Sequence, residues 1–374
     1  MTETIAGRLV LDDGEVLGRL TIGDYGRIAA IEADGSASAD TLVVPGFIDV
    51  HVHGWGGHDA MGGIEALSGM ARALAGRGVT SFLPTSVTAA YSDLTEYAES
   101  VRRWMPQAPA DGAEPLGFNM EGPFLSEAKK GAHPAHLLRD PADIDEATLE
   151  TFVEGLRIMT IAPELPGALE MIRALAGRGV RVSLGHSAAN AAQARAGYDA
   201  GAITTTHLFN AMVGAIHRDP GLALTALLDD DVWVELIADT LHVDPELWPL
   251  IWRMKPAQRV VIISDGISLA GSGRTRGMLG ALEVRVDGGK ATLVDGGNLA
   301  GSVSALDLEF GHLVRHGVPL SDAVRASSAN AAELLELDDR GRLAAGLRAD
   351  LVELDTATYA VRRVMRGGEW IVDH

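Results

Sequence analysis

Eight short apolar runs, separated by stretches with helical spacing, constrain the fold of this chain more than any other feature. The runs span residues 42–52, 79–87, 116–120, 157–162, 180–184, 202–206, 232–238 and 259–264. Between them, apolar residues recur at helical intervals over 64–75, 93–104, 168–176 and 190–200. Strand–helix alternation repeated eight times predicts an α/β chain folded as a (β/α)8 TIM-type barrel. A near-repeat supports it: Arg72-Ala-Leu-Ala-Gly-Arg-Gly78 and Arg173-Ala-Leu-Ala-Gly-Arg-Gly179 each precede a strand, with glycine suited to a left-handed helix stop. At 374 residues, 47% of them hydrophobic, the chain can bury a core of that size.

The flanks follow a different rhythm. Residues 5–31 alternate apolar and polar positions with Gly punctuation, and 343–372 do the same. Neither flank can bury a core alone, so together they predict one small β-sandwich domain. The expected boundaries are 1–46 with 341–374 for that domain, and 47–340 for the barrel. A further β-like insertion is expected over 282–293, turning at Asp287-Gly-Gly289.

Composition narrows the chemistry. The chain has no cysteine, which removes disulfides, thiolate metal sites and thiol nucleophiles, and leaves His, Asp and Glu as metal ligands. A formal charge of −20 argues against nucleic acid as a partner. No run approaches the ~20 apolar residues of a membrane span. The start, Met1-Thr-Glu-Thr-Ile-Ala-Gly-Arg8, lacks a basic segment followed by an apolar one, so a cytoplasmic enzyme is expected.

Active sites of such barrels gather at the C-terminal ends of the strands. The first run ends in His51 and His53, which share one strand face. The third ends in Glu121, the fifth in His186 and the sixth in His207; the seventh runs on to His242, and the eighth ends in Asp265. Five of the chain's 12 histidines fall at these ends, which coincidence explains poorly. Glu121, His186 and His207 form the carboxylate-plus-imidazole set of a catalytic divalent site, with a position open for water. His51 and His53 could hold a second ion, with Glu121 as bridge. Asp265 suits the general base that later returns the proton to a leaving group. These residues together point to metal-assisted hydrolysis.

The motifs carry a resemblance over essentially the whole chain. Pro45-Gly-Phe-Ile-Asp-Val-His-Val-His53, Glu121-Gly-Pro-Phe124, Lys129-Lys-Gly-Ala-His133, Gly185-His-Ser187, Thr206-His-Leu-Phe-Asn-Ala-Met212, His217-Arg-Asp-Pro-Gly221 and Ser264-Asp-Gly266 resemble the N-acetylglucosamine-6-phosphate deacetylase family of the amidohydrolase superfamily. The resemblance implies hydrolysis of N-acetyl-D-glucosamine 6-phosphate to D-glucosamine 6-phosphate and acetate, in amino-sugar catabolism and cell-wall recycling. It implies one or two divalent ions per subunit, zinc or iron, with Glu121, His186 and His207 as principal ligands and Asp265 as base and acid. It further implies that His133 polarises the acetyl carbonyl, and that Asn210, Ala211 and His242 hold the sugar and its phosphate. Arg218 would meet the phosphate from the neighbouring subunit of a homodimer.

Three other readings remain open on the sequence. One is the same reaction on the galactosamine epimer. Another is an amidohydrolase of cyclic or N-acyl amides, although Glu121 stands where such enzymes often carry a carboxylated lysine. The third is an inactive relative kept for binding or assembly, against which every ligand position is filled. Lys129 and Lys130 read as a solvated loop, His136 as surface, and His58 and Asp59 as bordering the mouth without ligating. Residues 298–302 read as a substrate contact or as entry to a helix.

Overall fold

Gly46 divides the first apolar run in two. The computed structural model describes residues 3–374, and in it Thr41–Pro45 pairs in one sheet while Phe47–Val52 opens another. A Cβ on Gly46 would lie 2.2 Å from the Thr80 Oγ1, so only glycine lets the chain cross from sheet to sheet here.

The second sheet is the barrel. Phe47–Val52, Val79–Ser86, Phe118–Glu121, Leu156–Ile161, Arg181–Leu184, Thr204–Thr205, Trp233–Leu236 and Val260–Ile262 pair in chain order, all parallel. All eight expected runs contribute a strand. The seam between last and first strand closes just beyond their ladders. The Asp265 N–H donates to the His51 carbonyl (3.0 Å) and the His53 N–H to that of Gly266 (2.8 Å). Beneath them, the buried Asp49 carboxylate accepts from the Ser264 hydroxyl (2.6 Å) and backbone N–H (3.3 Å). Barrel closure and site assembly are thus the same contacts.

The expected helices form at Gly63–Ala75, Tyr91–Trp104, Ala168–Ala176 and Ala191–Asp199, the last opened by a capping box between Asn190 and Gln193. In the near-repeat, the first glycine of each copy stays right-handed at the helix end. The second, Gly78 or Gly179, takes the left-handed conformation (φ +83° and +82°). Apolar faces of these helices pack on the strands to form the main core around Phe82, Trp104, Phe118 and Phe310.

Both chain ends join in one continuous seven-stranded sheet. Its spatial order is Glu369–Asp373, Val361–Arg366, Leu351–Asp355, Thr41–Pro45, Glu3–Leu11, Gly14–Ile22 and Ile28–Ala33. The sheet curls around its own core of Leu9, Leu20, Val43, Leu351 and Met365, so that its two ends meet where Gly26 touches Gly367. The insertion is a three-stranded antiparallel sheet, Arg276–Leu279, Leu282–Asp287 and Lys290–Leu293. Gly288 and Gly289 turn its second hairpin, both at positive φ. Its apolar face packs on Val87, Ile267 and Leu269 beside the barrel mouth. No helix among the described residues is long and apolar enough to cross a membrane.

Candidate metal centre and active site

Glu121 is the hub of the barrel mouth. Its Oε1 lies 3.0 Å from His186 Nε2 and 2.9 Å from His207 Nε2; its Oε2 lies 3.1 Å from His133 Nε2 and 3.3 Å from His53 Nε2. Asp265 Oδ1 stands 3.2 Å from His53 Nε2 and 3.6 Å from His51 Nε2. All these side chains are buried. Two further distances bear on what the cluster can hold: His186 Nε2 is 3.0 Å from His207 Nε2, and His51 Nε2 is 3.3 Å from His53 Nε2.

The opposite ring nitrogens explain those pairs. His186 Nδ1 donates to the Lys129 carbonyl (2.9 Å), His53 Nδ1 to that of Thr85 (3.1 Å), and His51 Nδ1 to the Glu235 carboxylate (3.2 Å). In neutral rings the Nε2 atoms of His186, His53 and His51 then carry lone pairs, whereas His207 Nδ1 has no partner among the described residues to fix its tautomer. The facing lone pairs of His51 and His53 require a cation or a proton between them. His133 is inverted. Its Nδ1 accepts from the Thr88 N–H (3.2 Å), so a neutral ring carries its proton on Nε2 and donates it into the site. Burial lowers the His133 pKa to about 4, the neighbouring Glu121 carboxylate only partly opposing it, which keeps that ring neutral.

The electrostatics demand positive charge. Burial works to raise the pKa of Glu121, but His186, His51 and His133 outweigh it and hold the carboxyl well below its usual range. Asp265 is likewise lowered, burial being outweighed by His53 and His51. Burial depresses His53 less than Asp265 and Glu121 raise it, to about 9. Two buried carboxylates thus hold protons on imidazoles where a divalent ion would do the same service. Oxygen and nitrogen donors from Glu121 with His51 and His53, and from Glu121 with His186 and His207, fit such an ion.

Over the cluster opens a cavity of about 350 Å³, within the range of small-ligand sites. Asn210, Ala211 and His242 line it, as do Lys129, Asn298 and Leu299; Leu279 of the insertion forms part of its roof. Backbone at the mouth is held in left-handed conformations at His186, His207, Ala211 and Asp265 (φ +46°, +28°, +50° and +46°). Non-glycine residues adopt these only where surrounding contacts fix them, as functional sites do. Arg218 does not line this cavity. It sits exposed at the tip of a two-residue turn closed by Ile216 and Asp219. His136 is exposed, and His58 packs against Gly69, away from the ligand cluster.

A family model described as the amidohydrolase family matches residues 42–371. The chain belongs to the amidohydrolase family. This amidohydrolase is 37% identical to N-acetylgalactosamine-6-phosphate deacetylase of Escherichia coli O157:H7, over 98% of this chain and 99% of that one. It is 38% identical to N-acetylglucosamine-6-phosphate deacetylase of Bos taurus, over 88% of this chain and 83% of the relative. Among solved structures, it matches an aspartate-to-alanine mutant of N-acetyl-D-glucosamine-6-phosphate deacetylase from Mycobacterium smegmatis in complex with N-acetyl-D-glucosamine-6-phosphate. That match has TM-score 0.91 and 35% identity and covers 99% of each chain.

Sequence reasoning missed two carboxylates beneath this amidohydrolase's ligands. Glu235 Oε2 takes the His51 Nδ1 proton and lies 3.4 Å from the His207 backbone N–H. Asp49 holds both the Ser264 hydroxyl and the His51 N–H (3.2 Å). Each is an ionisable residue inside an apolar barrel strand, which was the available signal. Asp239, also passed over, accepts from His242 Nδ1 at 2.7 Å.

Proposed function

We propose that this amidohydrolase removes the acetyl group from N-acetyl-D-glucosamine 6-phosphate, releasing acetate and D-glucosamine 6-phosphate. The observation that carries the reading is one cavity. There Glu121, His186 and His207 converge within about 3 Å, Asp265 flanks them, and the neutral His133 offers a proton donor. An amide is a poor electrophile with a poor leaving group, and this set addresses each difficulty.

Glu121, His186 and His207 would hold a divalent ion, which would supply Lewis acidity and lower the pKa of water to about 7; zinc or iron suits these donors. Asp265, ionised and at the cavity floor, accepts the proton of the attacking water at its carboxylate and then delivers it to the departing nitrogen. His133 Nε2–H, its nitrogen 3.1 Å from Glu121 Oε2, donates to the acetyl oxygen as negative charge grows on it. His51 and His53, with Glu121, form the place for a second ion. Asn210, Ala211 and His242 line the part of the cavity left for the sugar. Arg218, supplied by a second copy in a homodimer, meets the phosphate through paired, charge-assisted hydrogen bonds. We assign catalysis to a unit of residues 47–340, with 1–46 and 341–374 as the accompanying β unit, in a cytoplasmic enzyme.

A second reading is the galactosamine epimer, supported by the Escherichia coli relative that aligns over 98% of this chain. Acetate release from both epimeric N-acetylhexosamine 6-phosphates and from unphosphorylated N-acetylglucosamine tests these readings together. Turnover of one phosphorylated epimer well above the other decides between them. Equal rates with and without phosphate would remove the phosphate from the proposal. Chelator should abolish turnover and a divalent ion restore it; an indifferent rate would sink the metal-dependent chemistry.

A further inference from the structure

Asp239 follows the seventh barrel strand and is buried beside the cavity without touching it. Its carboxylate receives four hydrogen bonds. Oδ1 accepts the backbone N–H groups of Leu241 and His242, both at 2.9 Å; Oδ2 accepts His242 Nδ1 at 2.7 Å and the Ser302 hydroxyl at 3.1 Å. Burial works to raise its pKa, and the hydrogen bonds from the His242 ring and from the His242 and Leu241 backbone N–H groups oppose it and hold it lowered, so the group is ionised. An ionised carboxylate only accepts, so the proton between it and His242 belongs to Nδ1. His242 Nε2, with no protein partner among the described residues, is left for the cavity that the ring lines. Thr240 between them is held at φ +71°, a conformation that the Asp239 bonds to Leu241 and His242 keep in place.

Ser302 makes the arrangement more than a loop cap. Its N–H donates to the Asp265 carbonyl at 2.8 Å, while its hydroxyl reaches Asp239. Asp239 therefore joins the His242 loop to the segment carrying the proposed base. We propose that Asp239 is a positioning residue for substrate recognition. It fixes the proton of the neutral His242 ring on Nδ1, so that Nε2 presents an acceptor to a hydroxyl of the bound sugar phosphate. This rests on the deacetylase reading and names how the non-reacting part of the substrate is held.

Asp239→Asn tests it. The Asn Oδ1 keeps the two backbone donors, which places its NH2 against His242 Nδ1. That reverses the tautomer, and the hydroxyl must then turn round and give up its other partner. The KM for the preferred sugar phosphate should rise roughly tenfold while kcat stays within threefold, the pattern of lost uniform binding. His242→Ala should raise KM at least as much, and the double variant should match His242→Ala alone within twofold. A purely structural role would instead multiply the two effects or lower kcat. If Asp239→Asn fails to fold, Ser302→Ala should give a smaller rise in KM that vanishes on the His242→Ala background. An Asp239→Asn enzyme with wild-type KM, or multiplicative effects in the double variant, overturns this inference alone. Wild-type protein that releases no acetate overturns the functional reading, and this inference with it.

Discussion

His133 and His186 face the same Glu121 carboxylate with opposite hydrogen-bonding roles. The Thr88 N–H forces the proton of His133 to the site side; the Lys129 carbonyl draws that of His186 away from it. One ring points a donor into the site and the other a lone pair, although the residue types are identical. The same logic separates Asp265 from Glu121. Glu121 is surrounded by five imidazoles, whereas Asp265 touches two and keeps a side facing the cavity. Asp265→Asn should therefore retain its divalent ion, by elemental analysis, while kcat falls by about 10²–10⁴. Near-normal turnover in that variant would remove Asp265 from its role. Residues ending an apolar run were legible in the sequence, because strand ends of a barrel share one mouth. Glu235 and Asp49 lie inside their runs, where an ionisable residue reads as a break in the pattern. Tautomers were not legible, since they depend on backbone groups from distant strands.

At the scale of elements, strand positions were legible and the junction between the two sheets was not. Apolar pattern is continuous from Leu42 to Val52, and only Gly46 marks where the chain changes sheets. The curl of the seven-stranded sheet depends on a similar contact. Gly26 has φ +65°, and a Cβ there would lie 1.8 Å from the Gly367 carbonyl oxygen, which is backbone and cannot swing aside. Gly26→Ala should cost about 1–3 kcal/mol or more, read as an earlier urea midpoint, with normal turnover in the fraction that remains folded. A midpoint equal to wild type would mean that the sheet ends do not meet. Lys255 ties two barrel helices, donating to the Ala226 and Asp229 carbonyls where the helix Gly221–Leu228 ends. Burial, opposed by Asp229 and Asp230, lowers its pKa from 10.5 to about 8. Between those values the unfolded chain binds the extra proton, so this residue's contribution to stability rises with pH. The melting temperature of wild type relative to Lys255→Met should climb from pH 8 to pH 10; a flat difference would contradict the burial of the ammonium group.

The whole molecule carries a formal charge of −20, yet the proposed substrate is an anion. Screening over roughly 8–10 Å leaves the outcome to local groups. Inside the cavity those are Lys129 and the imidazoles around Glu121, while Arg218 stands on an exposed turn outside it. Its motif was legible in the sequence; its place outside its own cavity was anticipated only through the family resemblance, because spacing along the chain does not encode that distance. If Arg218 serves the neighbouring site, its loss and the loss of Asp265 damage different subunits' contributions to one site. Arg218→Ala and Asp265→Asn proteins, each nearly inactive on the phosphorylated sugar, should then complement when unfolded together and refolded. Random pairing makes half the dimers mixed. In each, one site has Asp265 from the first chain and Arg218 from the second, so about a quarter of all sites should recover. The other site lacks both groups and stays silent. Recovery near that fraction, lost when the variants are refolded apart and then mixed, would place Arg218 across a subunit boundary. No recovery in the co-refolded mixture, with each variant dimeric by light scattering, would mean that the arginine acts within its own chain, or not at all.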